Sequence, residues 1–143
     1  MELKVSSLAE RPEMFGPVVR MDNSWPEFVK HDPVGDAHYG RIAAELPEYV
    51  LFAADERDQV LAHAYSVPFV LAAEGRGALP ARGWDQVLGW AFEDLRGSAR
   101  PDTVSAIAID SNPTLTLTRC IRAPALASNI CNGDRPRAPP RRY

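Results

Sequence analysis

The residues best suited to proton transfer in this chain are a histidine and a tyrosine two positions apart, together with carboxylates further upstream. His63 and Tyr65 lie in an apolar segment, and in a strand they would share one face because side chains alternate. An imidazole or a carboxylate can accept a proton, so His63, Glu27 and Asp32 are candidate bases. Tyr65 could line a substrate site. The simpler interpretations are a packed or solvent-facing strand residue for His63 and a helix-capping partner for Glu27.

Other kinds of chemistry have little support in the residue pattern. His31, Asp32, Asp36 and His38 form a polar stretch without metal-ligand spacing, and the two cysteines form no CxxC motif. We therefore expect no metal site and free thiols. The motifs GxSxG, HExxH, GxGxxG and the P-loop do not occur, so hydrolase, dinucleotide and NTPase functions are not indicated.

Four strands are predicted to carry these residues. Tyr49–Ala54 and Gln59–Phe69 are apolar runs around the polar turn Asp55–Asp58, which predicts an antiparallel hairpin. A short strand is expected around Leu3–Leu8. Thr103–Ile109 alternates small or polar residues with branched ones, which is typical of a central strand. The simpler interpretation of Ile107 and Ile109 is that they are core residues whose backbone is fully paired in the sheet.

Helices are predicted between these strands. A proline-punctuated helical region follows Pro12, and Ser24-Trp25-Pro26-Glu27 reads as a helix start with a serine cap and the proline inside the first turn. A further helix is expected from about Asp36 to Leu46. Trp84–Arg96 is the clearest, because apolar residues recur along one face and Gly97 follows as a stop. The order of elements indicates an α/β domain.

The composition changes abruptly near residue 115. Residues 1–110 contain 18 Asp and Glu against 10 Lys and Arg, whereas residues 111–143 contain one acid against six arginines. Both cysteines, Cys120 and Cys131, and five of the 13 prolines fall in that last stretch. We therefore expect a folded part over residues 1–115 and a disordered Arg/Pro-rich tail over residues 116–143.

The last predicted strand runs into a proline-containing segment, Val104-Ser105-Ala106-Ile107-Ala108-Ile109-Asp110-Ser111-Asn112-Pro113-Thr114-Leu115. This segment is similar to the fourth strand of the GNAT N-acetyltransferase family, and the order of elements in the folded part resembles that family as well. The Trp84–Arg96 helix and the Trp25–Phe28 helix start resemble a bacterial subgroup. The resemblance covers about residues 3–115 and implies a mixed, mostly antiparallel sheet with helices, truncated after the fourth strand.

The resemblance also implies a co-substrate and a reaction. In the family the fourth strand pairs with the pantetheine of acetyl-CoA, and by position the backbone groups of Ile109 and Ser111 would do so here. The implied reaction is acetyl transfer to a small amine, with His63 or a carboxylate such as Glu27 as base and Tyr65 near the acceptor. The alternative is a non-catalytic α/β binding or interaction module.

The family's pyrophosphate-binding loop is missing from the sequence. Its glycine-rich motif should begin near Thr116, but no glycine occurs between Gly97 and Gly133. Activity is therefore expected to be impaired or lost. Three origins for the tail stay open: a shifted reading frame, a divergent natural ending, or a basic arm. The arm carries few charges and one aromatic residue, Tyr143, so nucleic-acid binding is not favoured.

The start of the chain is charged, and no run of 18 apolar residues occurs anywhere. These features predict a cytoplasmic protein with no membrane partner. A sheet that stops after the fourth strand would leave an edge and a face uncovered, which predicts self-association, for example as a homodimer through that edge.

Overall fold

The computed structural model describes residues 3–22, 25–76 and 78–113. The described residues up to Asn112 belong to one compact unit. The predicted tail, both cysteines and the Ser24 cap lie outside the described residues.

The strands form one antiparallel sheet whose spatial order follows the chain. They are β1 (Lys4–Ser7), β2 (Val50–Ala54), β3 (Val60–Phe69) and β4 (Thr103–Ser111). The predicted hairpin of β2 and β3 is confirmed. Its turn is held by Asp55, whose Oδ1 accepts the N–H groups of Arg57 and Gln59 at 2.9 Å each.

In the described part of the chain, four helices connect the strands, with 3-10 turns at Pro12–Met14 and Pro47–Tyr49. The helices are α1 (Phe15–Val19), α2 (Glu27–Lys30), α3 (Pro33–Glu45) and α4 (Trp84–Arg96). The predicted bounds of α4 are confirmed. The predicted start of α2 is wrong, because Pro26 precedes the first helical residue as the N-cap instead of lying inside the first turn.

The start of α3 was predicted three residues too late. Asp32 caps this helix, with its carboxylate accepting the Val34 N–H at 3.3 Å and the Gly35 N–H at 3.2 Å. Pro33 at the first helical position needs no N–H partner, so it suits this place. The sequence between α2 and α3 is therefore a cap rather than a loop.

Among the described residues, the buried apolar side chains other than Leu61 form one cluster between the helices and one face of the sheet. Ile42 and Leu46 of α3 and Leu88 and Phe92 of α4 pack on inward residues of β2 and β3 such as Phe52. This is a two-layer α/β arrangement, which agrees with the predicted fold class in its coarser form. The opposite sheet face carries exposed apolar side chains from three strands, among them Val5, Leu51 and Ile109.

Candidate active site

β4 lies at the edge of the described sheet. It pairs with β3, and no other strand among residues 3–22, 25–76 and 78–113 pairs with it. The prediction that this segment forms a central strand depends on pairing with residues after 113, which lie outside the described residues. The uncovered edge that the sequence analysis expected for a sheet stopping after the fourth strand is present in the described sheet.

A β-bulge interrupts β4 in its middle. Tyr65 pairs with Ala108 and Ser66 pairs with Ala106, so Ile107 has no partner residue on β3. Ile107 packs against the core, and Ala108 opposite the buried Tyr65 faces the same way. Two consecutive inward residues reverse the alternation beyond this point.

The reversal decides which of the following side chains is buried. Ile109 is 77% exposed, whereas Asp110 is 8% exposed. The expectation that Ile109 is a core residue is therefore wrong, because a simple alternation from Thr103 onwards ignores the extra residue. The bulge instead turns the Asp110 carboxylate towards the helices.

The hydrogen-bonding phase of β4 can be read from its far end. The Asn112 N–H donates to the Leu61 carbonyl at 2.8 Å, which marks the pair of Asn112 and Leu61 as a bonded one. Bonded and non-bonded pairs alternate in an antiparallel ladder. Counting back, Ser111 and Ile109 fall in non-bonded pairs with β3, and their own N–H and C=O groups point towards the outer edge of β4.

The beginning of β4 leads to the same assignment of hydrogen-bonded and non-bonded pairs. Pro68 lies opposite Val104, and a proline, which has no N–H, fits a non-bonded pair. Bonded and non-bonded pairs alternate from Val104 onwards, and the unpaired Ile107 is skipped in the count. This again places Ile109 in a non-bonded pair. The Ser111 N–H is already occupied, because it donates to the Asp110 carboxylate at 2.7 Å. Of the two predicted backbone contacts, Ile109 thus has the more accessible donor.

His63 is half-buried on β3, opposite Asp110 of β4. Its Nδ1 lies 3.2 Å from the Val18 carbonyl at the end of α1. A carbonyl oxygen only accepts, so Nδ1 carries the proton in this contact and neutral His63 keeps its lone pair on Nε2. Burial lowers the pKa of His63, although the Val18 carbonyl and the Asp110 charge oppose that shift. The imidazole is therefore neutral near pH 7.

Tyr65 is buried and sits between two other rings. Its ring meets His63 edge-on at 5.0 Å and Tyr39 edge-on at 5.3 Å between centroids. Burial, with a smaller effect from Tyr39, raises the pKa of Tyr65 to about 12. At 6% exposure the side chain offers little surface to a substrate, so its main visible role is to pack against His63.

The carboxylate candidates have local partners instead. Glu27, at the start of α2, pairs through Oε1 with the His31 Nε2 at 3.1 Å on an exposed surface. Asp32 is engaged as the cap of α3. The structure therefore brings His63 and Tyr65 together, and gives Glu27 and Asp32 other contacts.

Asp110 is the site residue that the sequence analysis did not identify. It lies directly opposite His63 in the pairing of β3 with β4, and both side chains face the helices. In the sequence it reads as the polar end of a strand. An acid at the end of a β-pattern, three residues before Pro113, was the available signal, but only the bulge gives it an inward direction.

A second feature is an open cavity of about 810 Å³ beside β1 and the turn between β2 and β3. Its lining includes Lys4, Arg11 and Asp58. Arg11 is already paired with Glu13 at 2.9 Å and with Asp58 at 3.0 Å. The Arg11 charge is thus neutralised locally, and the cavity offers no converging set of reactive groups.

Within the described part of the chain, no group of three or more His, Cys, Asp or Glu side chains is arranged to hold a metal ion. The helices described there are also too short or too polar to cross a bilayer. A scan against protein-family models finds no match for this chain, and a search of the curated proteins finds none either.

Proposed function

We propose that this chain is a GNAT-like, acetyl-CoA-dependent N-acetyltransferase domain that acts on a small amine, with impaired or lost turnover. The observation that carries the proposal is the outer edge of β4 at Ile109. There a backbone N–H and C=O point away from β3, and the neighbouring strand β3 carries a neutral, half-buried histidine one residue away from the partner of Ile109. An extended amide-containing arm can pair with such an edge as an additional strand would.

The residues around Ile109 fit the pantetheine part of acetyl-CoA. Pantetheine contains two amides in an extended chain, and the backbone of Ile109 supplies one donor and one acceptor. When bound, acetyl-CoA supplies the activated acyl group. The Ser111 carbonyl adds a second acceptor along the same edge, while its N–H is held by Asp110.

His63 is the base in this proposal. An amine attacks a thioester only as the free base, so its ammonium proton must first be removed. His63 meets this need because the Val18 carbonyl fixes the proton on Nδ1 and leaves Nε2 as acceptor. The acidic excess of residues 1–110 would favour the approach of a cationic amine.

The second candidate function is a non-catalytic α/β binding or interaction module. The sequence favours it through the absent glycine-rich loop between Gly97 and Gly133. The structure adds that Tyr65, with a pKa of about 12 and little exposure, is poorly suited to deliver a proton to a departing thiolate. The exposed face around Leu51 and Ile109 would suit association with a protein surface, including a second copy of the chain.

Calorimetric titration with acetyl-CoA separates the two functions. The transferase proposal predicts binding in about the micromolar range, well within the usual span of enzyme substrates. A thiol-release assay with a panel of small amines then measures turnover. His63→Gln should lower any rate about 100-fold or more without changing acetyl-CoA affinity, because the base does not hold the cofactor.

His31→Gln is the matched control, since His31 is an exposed histidine whose recorded partner is Glu27. It should leave affinity and rate unchanged. Absence of acetyl-CoA binding at millimolar concentration would refute the transferase proposal and support the interaction module. Equal losses in both histidine variants would refute the assignment of His63 as base.

A further inference from the structure

We infer that Asp110 is a positioning residue for His63, its charge stabilising the protonated imidazole across the pair of β3 and β4. The inference rests on the proposed function, because it gives the base a charged partner. It starts from the register: His63 and Asp110 are direct cross-strand neighbours. Directly opposed side chains on one face have Cβ atoms about 5 Å apart, which is within reach of each other's charge.

The carboxylate of Asp110 is itself fixed. Its Oδ1 accepts the Ser111 N–H at 2.7 Å, and the side chain is 8% exposed. A buried carboxylate needs compensating contacts, and this N–H supplies one of them. The bulge at Ile107 is what turns Asp110 inward, and bulges commonly re-aim a side chain next to a functional site.

The groups that face His63 come from four elements. Asp110 faces it from β4, Tyr65 flanks it on β3, and α1 contributes the Val18 carbonyl. On β2 the residue opposite is Phe52, which carries no charge. Tyr39 of α3 lies beyond Tyr65. Asp110 is the anion of this set. Both tyrosines are neutral near pH 7, since a phenol ordinarily loses its proton only near pH 10 and burial raises both pKa values further.

Two opposing effects therefore act on His63. Burial disfavours the imidazolium and lowers the pKa, and the charge of Asp110 favours the imidazolium and raises it. Without the Asp110 carboxylate, burial would lower the His63 pKa further. His63 would still be neutral at pH 7, but it would be a weaker base for an ammonium proton.

The test is an NMR titration of the His63 ring in the whole chain, which needs neither cofactor nor turnover. Asp110→Asn should lower the His63 pKa by about one unit, the lower end of what a nearby opposite charge provides. Asp110→Glu keeps the charge and should restore most of the wild-type pKa. Glu74→Gln removes an exposed carboxylate in the loop after β3 and should leave the His63 pKa unchanged.

Circular dichroism on each variant shows whether the fold is kept, and Asp110→Glu supplies the answer if Asp110→Asn does not fold. The inference would be overturned if the His63 pKa is unchanged in folded Asp110→Asn. It would also be overturned if Asp110→Glu lowers the His63 pKa as much as Asp110→Asn does. If the chain turns over, the acidic limb of kcat/KM should move down with the His63 pKa. If acetyl-CoA does not bind but the NMR shift is found, the transferase proposal fails and the pairing of Asp110 with His63 stands.

Discussion

A proline scan of β4 tests the backbone arrangement on which the cofactor proposal depends. Proline removes one N–H, so its cost reports whether that N–H bonds to β3. Ala108 lies in a bonded pair with Tyr65, whereas Ile109 lies in a non-bonded pair with Ala64. The two adjacent positions should therefore respond in opposite ways to the same substitution.

The expected magnitudes follow from the partners. Ala108→Pro removes the hydrogen bond from the Ala108 N–H to β3 and leaves the carbonyl of the buried Tyr65 without that donor. We expect this to lower the free energy of unfolding by about 2–4 kcal/mol. For a unit of this size that is roughly 8–16 °C in Tm. Ile109→Pro breaks no bond to β3, and the Ile109 side chain is 77% exposed, so its cost should stay at or below about 1 kcal/mol.

Circular dichroism melts measure stability, and acetyl-CoA titration measures the outward N–H. Ile109→Pro should weaken acetyl-CoA binding about 2- to 10-fold, the equivalent of one hydrogen bond. Ile109→Ala is the control, because it shortens the side chain and keeps the N–H, and it should bind as the wild type does. If Ile109→Pro destabilises the fold as much as Ala108→Pro, the derived phase is wrong and the cofactor proposal loses its basis.

Two further predictions concern stability and association. The Asp94 carboxylate accepts hydrogen bonds from the Val70 N–H and from Arg76, each at 2.7 Å. Asp94→Ala should therefore lower the free energy of unfolding, measured by urea titration, by about 3 kcal/mol. Glu93→Ala is the control and should lower it by less than about 0.5 kcal/mol, because Glu93 is an exposed partner of Arg76. Burial alone would raise the Asp94 pKa, but these hydrogen bonds outweigh burial and the pKa is lowered. The stability that the Asp94 carboxylate contributes is therefore present above the usual carboxyl pKa range and should be lost as pH falls through the lowered pKa. If the stability of Asp94→Ala falls with pH as steeply as that of the wild type, this prediction is contradicted. Leu51→Lys places a charge on the exposed sheet face and should reduce self-association in sedimentation experiments. Glu74→Gln makes the same change of net charge elsewhere and should leave self-association unchanged. Equal sedimentation of both variants would count against this sheet face as the surface through which copies of the chain associate.

Much of the fold could be predicted because the strongest signals are local. α4 is bounded by an apolar stripe from Trp84 and by Gly97, and the hairpin by the polar turn at Asp55–Asp58. These patterns need only neighbours in the chain. The start of α2 was misplaced because Pro26 can occupy either the cap or the first turn, and the choice depends on how the preceding chain enters the helix.

The candidate site was less predictable because it depends on pairing between distant strands. His63 and Tyr65 could be found from their spacing in a β-pattern. Asp110 could not, because its direction is set by an extra residue that is recognised only against β3. The same extra residue made Ile109 look like part of the core, since Thr103–Ile109 alternates regularly when it is read alone.

The bulge at Ile107 links the two halves of the proposed site. Without it, the phase from Pro68 and Val104 would put Ile109 in a bonded pair with an inward side chain, and Asp110 would face outward. With it, the backbone N–H and C=O of Ile109 point away from β3, and the Asp110 side chain lies on the same sheet face as His63. One unpaired residue thus sets both parts of the proposed site, the outward backbone edge at Ile109 and the inward side chain of Asp110.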